Sequence, residues 1–142
     1  MKKAFLLLFV VTLSLNSKSQ VVTEVKDLDT DTLNKVYSAV EYEAEFPGGS
    51  AAWIKYLQKK LKADIPVKQG APNGTYRVVV KFIVSKDGLI SDIVAETSFG
   101  YGMENEVKRV IQSGPKWIPA YQNGRNVNAY RRQPITFVVS GK

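Results

Sequence analysis

Tyr76-Arg77-Val78-Val79-Val80-Lys81-Phe82-Ile83-Val84, then Ser85-Lys86-Asp87-Gly88, then Leu89-Ile90-Ser91-Asp92-Ile93-Val94-Ala95: this stretch reads as two β-branched strands joined by a tight turn. Gly88 accepts the positive φ that such turns need, and Asp87 can bond its own backbone, so a hairpin is expected on mechanism as well as composition. Alternation places Tyr76, Val78, Val80, Phe82 and Val84 on one wholly apolar face and Arg77, Val79, Lys81, Ile83 and Ser85 on a mixed one. The apolar face requires a cover of helices, and a lone hairpin requires at least a third strand.

The rest of the chain supplies candidates for both. Val40-Glu41-Tyr42-Glu43-Ala44-Glu45-Phe46 alternates apolar with acidic and ends at Pro47-Gly48-Gly49, the pattern of a half-buried edge strand. Ser50 stands as N-cap of a first helix in which Trp53, Ile54, Leu57 and Leu61 share a face, ended by Ile65-Pro66. Gly100-Tyr101-Gly102 opens a second helix with Met103, Val107, Val110 and Ile111 on its apolar face, and Ser113-Gly114-Pro115 stops it. After a turn at Asn123-Gly124, residues 127–139 form another strand, in which Ile135, Phe137 and Val139 face one way. Pro134 cannot donate a ladder hydrogen bond, so at least that part of the strand belongs on a sheet edge. The expected fold class is α+β in two layers, an antiparallel sheet of three to four strands with two helices on one face.

At 142 residues with 44% hydrophobic content, the chain holds enough apolar surface for an ordinary core. Cysteine and histidine are both absent. Their absence excludes a disulfide framework, thiolate or imidazole metal sites and triads built on Ser-His or Cys-His, and no cofactor or enzymatic activity is expected. Scattered carboxylates such as Asp87 and Asp92 are better read as turn and surface residues.

Residues 1–19 read as a signal peptide: Met1-Lys2-Lys3, an apolar run from Ala4 to about Leu15, and Ser17-Lys18-Ser19 before Gln20. The run is shorter than the ~20 residues that span a bilayer. An uncleaved inner-membrane anchor is the competing reading. Residues 20–39 read as a flexible acidic leader, and 40–142 as the domain. The formal charge is +7. Lys2, Lys3 and Lys18 fall in the signal, and the remainder is divided between an acidic lead as far as Pro47 and a basic domain beyond it. In a secreted chain that favours an acidic peptide partner or contact with an anionic envelope surface, and no nucleic acid is expected on compartment grounds.

Taken in order, Phe46-Pro47-Gly48-Gly49, Ile65-Pro66, Val78-Val79-Val80-Lys81-Phe82 with Asp87-Gly88-Leu89-Ile90, Glu106-Val107-Lys108-Arg109-Val110-Ile111, Pro115-Lys116-Trp117-Ile118-Pro119, Asn123-Gly124-Arg125 and Gln133-Pro134-Ile135-Thr136-Phe137 resemble the C-terminal domain of TonB-like energy transducers over about residues 40–139. That resemblance implies a periplasmic domain that binds outer-membrane transporters, whose TonB box pairs as an added strand along the domain's last strand. It further implies force from a motor of ExbB and ExbD type. By position the receiving strand is Arg131 to Val139. Arg131, Arg132, Gln133, Ile135, Thr136 and Phe137 are therefore the candidate partner contacts, joined by Ile65 and Pro66, where the family carries tyrosine before proline. The family's membrane-spanning helix, its coupling histidine and its proline-rich spacer are not matched, so this chain is expected to bind without transmitting force by itself and to reach any motor through another anchored protein. The alternative is an assembly protein whose sheet edge is taken by residues 40–46 or by a second copy in a homodimer. Trp117, Tyr121 and Phe137 are expected in the core.

Overall fold

The computed structural model describes residues 34–141, so the expected signal peptide and most of the expected leader lie outside the described residues. From Val36 onward the chain forms one compact unit. Its elements are β1 (Val36–Tyr37), α1 (Gly49–Lys60), α2 (Ile65–Lys68), β2 (Gly74–Val84), β3 (Ile90–Ala95), α3 (Met103–Gln112), β4 (Ala120–Gln122) and β5 (Arg125–Val139). The sheet runs β1-β5-β2-β3, with β4 paired to the start of β5.

The first strand of the β2–β3 hairpin lies inside the sheet, between β5 and β3, as its wholly apolar face demands. Val78, Val80, Phe82 and Val84 are fully buried, and the side that covers them includes Met103, Val107 and Ile111 of α3. Gly88 holds φ +82, and a Cβ there would sit 2.2 Å from the Trp117 carbonyl oxygen. Glycine is required both by the turn and by the segment that closes over it, whose Trp117 amide donates to the Gly88 carbonyl at 3.0 Å. The local hydrogen bonds expected of Asp87 are made by Ser85 instead, whose Oγ accepts from the Asp87 and Leu89 amides. In β3 the register shifts opposite Lys81–Ile83, where Asp92 takes φ +52, a bulge that adds twist at this outer strand.

Five expectations are corrected, the first being that Tyr121, expected in the core, is exposed at 39%. The sheet is mixed, because β1, inside the stretch read as leader, pairs in parallel with Asn128 and Ala129 of β5. Residues 40–46 form no strand along the β5 edge: after Tyr37 the chain bends away, and only Tyr42 and Glu45 bridge, to Tyr121 and Ile118. Their alternation instead buries Ala44 and Phe46, and the Phe46 ring meets Trp53, Tyr56 and Trp117 at 5.0–5.9 Å. Gly48, not Ser50, is the N-cap of α1. On that helix Ile54 is 53% exposed, while Tyr56 turns inward and its hydroxyl donates to the Val110 carbonyl at 2.7 Å.

A buried carboxylate locks the helical layer together. Glu106 of α3 accepts from the Lys62 amide beyond α1 (2.8 Å) and from Nε and Nη2 of Arg109 (2.8 and 2.6 Å), and the same Arg109 Nη2 donates to the Lys60 carbonyl. Burial pushes this carboxyl up, but the Arg109 and Lys62 hydrogen bonds outweigh it and hold Glu106 below the usual carboxylate range.

Candidate functional site: the outer edge of the last strand

Strand β5 pairs with β2 along its length, from Val139 opposite Gly74 to Ala129 opposite Val84. Which β5 groups that ladder consumes is fixed by Val79. Its carbonyl accepts from Glu96 and its amide donates to Thr97 Oγ1, so both point toward β3. In an antiparallel ladder hydrogen-bonded and non-bonded pairs alternate, which makes Val79–Pro134 a non-bonded pair. Arg131, Gln133, Ile135, Phe137 and Val139 therefore spend their backbone groups on β2. Arg132, Pro134, Thr136 and Val138 turn theirs outward.

On that outer side β1 reaches only Asn128 and Ala129. Among the described residues no strand pairs with β5 beyond Ala129 on that side. A free edge therefore runs from Arg132 to Val138, interrupted once by the missing N–H of Pro134, a proline placed where it costs the sheet nothing.

The two faces of this edge differ. Odd-numbered side chains of β5 point to the helical layer: Ile135 and Phe137 are 5% and 3% exposed, so their side chains belong to the core and their backbone groups to the β2 ladder. Arg131 and Gln133, half-buried on the same face, line a cleft of about 130 Å³ with Phe46, Trp53, Trp117 and Ser50. Arg131 pairs with Glu43, while its Nε is buried without a partner. Burial lowers its pKa from the usual arginine range. Arg132 and Thr136 lie exposed on the opposite face, where Arg132 Nε stands 3.0 and 2.9 Å from the two carboxylate oxygens of Glu96. Both arginines thus already have acidic partners within the chain.

Ile65 and Pro66 are not brought to this edge. They form α2, which packs on α3, and α3 rests on β2 and β3. Pro66 is buried there, and Ile65 lies close to Gly102. Residue patterning missed the cleft, because Phe46, Ser50 and Trp53 come from a turn and a helix far from β5 in sequence. The one trace of it in the sequence is a pair of aromatics, Phe46 and Trp53, on either side of the double glycine that turns the chain back.

Residues 74–139, from the start of β2 to the end of β5, match the family model of the Gram-negative bacterial TonB protein C-terminal. No curated protein sequence matches the chain significantly. The matched segment contains the β2–β3 hairpin, α3 and the strand with the free edge, and over these residues the chain is similar to the C-terminal region of Gram-negative bacterial TonB proteins.

Proposed function

We propose that this domain is a periplasmic TonB-like binding module that captures an extended segment of an outer-membrane transporter by β-augmentation, in transmembrane transport. The observation that carries the reading is the one-sided pairing of β5: Arg132, Thr136 and Val138 turn their backbone donors and acceptors away from β2, and the Pro134 carbonyl between them is met only by the long 3.4 Å contact from Gln133 Nε2. An added strand gains affinity from those main-chain bonds and specificity from the side chains on either face. The family match supports the same role, since it ends at Val139 with this strand. In this reading the domain binds and does not catalyse. A motor of ExbB and ExbD type would act on it through another anchored protein.

Titrating the full chain with TonB-box peptides while mapping amide shifts tests the proposal. Shifts concentrated from Tyr130 to Val138 are expected. Saturating peptide that moves only amides elsewhere, or none, refutes the docking mode.

The edge is equally open to a second copy of the chain, and β1 demonstrates that the β5 side accepts a strand. Sedimentation at rising concentration separates this assembly reading from transporter capture: a dimer that peptide fails to dissociate favours assembly.

A further inference from the structure

A strand added along β5 must place alternate side chains on the two faces of the sheet. The side chain that lands beside Arg131 and Gln133 on the helical face meets the cleft described above, walled by Phe46, Trp53 and Trp117. From this placement we infer that the cleft is a subsite for one carboxylate side chain, Asp or Glu, of the incoming strand, held by Arg131 in exchange for Glu43. The inference rests on the augmentation reading and specifies its chemistry.

Three features of Arg131 carry it. Its Nε is the one buried side-chain polar atom without a hydrogen-bond partner among the described residues, an arrangement that costs free energy until an acceptor arrives. Its present ion-pair partner, Glu43, is 69% exposed, whereas Arg131 itself is 26% exposed. A pair with so exposed a carboxylate is weak and easily exchanged. A carboxylate entering from the edge would meet a guanidinium already desolvated by the aromatic walls, where a forked, charge-assisted contact is stronger than in water.

Glu45 is the one acid lining the cleft. It is exposed, so water and salt screen its repulsion. Arg132 offers no equivalent site: it lies on the other face, against both carboxylate oxygens of Glu96.

The chain's two tryptophans both line the cleft, so their fluorescence reports its occupation. The test titrates the full chain with short extended Thr/Val peptides carrying a single Asp at successive positions, each against its Asn counterpart, with amide shifts along β5 recorded in parallel. One Asp position should tighten binding about tenfold over Asn, as a charge-assisted contact gives. That advantage should vanish in Arg131→Gln and persist in Arg132→Gln. Glu43→Gln, at an exposed position, should tighten the Asp peptide further and leave the Asn peptide unchanged.

An Asp advantage that survives Arg131→Gln, or a Glu43→Gln variant that binds the Asp peptide no better, overturns the subsite. Peptides that shift β5 amides with no Asp preference overturn the subsite and leave edge capture standing. Peptides that shift no β5 amide overturn both.

Discussion

Placing a second proline in β5 tests the assignment of its outward and inward backbone groups. Thr136 is exposed and, by the alternation set at Val79, points its N–H away from β2. Thr136→Pro therefore removes no ladder bond, and the chain already tolerates the same arrangement two residues earlier at Pro134. Its stability should stay within about 0.5 kcal/mol of the parent, the usual range for a surface change that breaks nothing. Gln133→Pro moves the same ring by one odd step. Gln133 stands opposite Val80, which is fully buried. Losing the Gln133 N–H leaves the Val80 carbonyl without its donor in a dry environment, at a cost of about 1–3 kcal/mol. With a urea slope of about 1–3 kcal/mol per molar, the unfolding midpoint should drop by roughly 1 M for Gln133→Pro and barely move for Thr136→Pro, followed by tryptophan fluorescence and far-ultraviolet circular dichroism. The two variants should invert in a peptide titration, because Thr136→Pro deletes an outward donor that a partner strand would use. Equal midpoint losses for the two prolines would refute the parity assignment, and with it the identity of the groups free to bind a partner.

Two further outcomes follow from the core. Gly88→Ala should cost at least about 2 kcal/mol, since the left-handed conformation alone costs roughly 1–2 kcal/mol and the added Cβ meets the Trp117 carbonyl at 2.2 Å; a midpoint unchanged in urea would mean that the closing segment shifts freely. Glu106 has a folded-state pKa below its unfolded one, so its contribution is complete above the ordinary carboxylate range and is lost as pH falls through the depressed value. Glu106→Gln should therefore destabilise the protein at pH 7 and flatten the loss of stability on acidification; denaturation midpoints at pH 7 and pH 3 that differ as much in the variant as in the parent would refute the network's role.

Much of the fold was legible because its signals are local. The period-two apolar face of β2, the glycine of the turn and the 3.6-residue face of Met103, Val107, Val110 and Ile111 state their own conformations, and all are buried as the patterns require except Tyr76, which is half-buried at the start of β2. Residues 40–46 show how the same signal misleads. Alternation records which side chains are buried, and Ala44 and Phe46 are, but it does not say whether the backbone has a ladder to join. Ser50 misled for a related reason: a good capping residue was present, yet the left-handed Gly48 before it already turned the chain into the helix. The parallel pairing of Val36–Tyr37 was invisible, since two residues carry no period.

For the candidate site, sequence determined that the last strand would hold a proline and so had to meet an edge, because proline's missing N–H is a covalent fact independent of context. It also determined which strand residues share a face. Tertiary structure decided the rest. It set the registry that turns Arg132, Thr136 and Val138 outward, it put Glu43 and Glu96 against the two arginines, and it carried Ile65 and Pro66 to α3 instead of to β5. It alone assembled the cleft from Phe46, Ser50, Trp53, Trp117 and Arg131. Each of these depends on contacts between segments tens of residues apart, and no local propensity encodes where such segments meet.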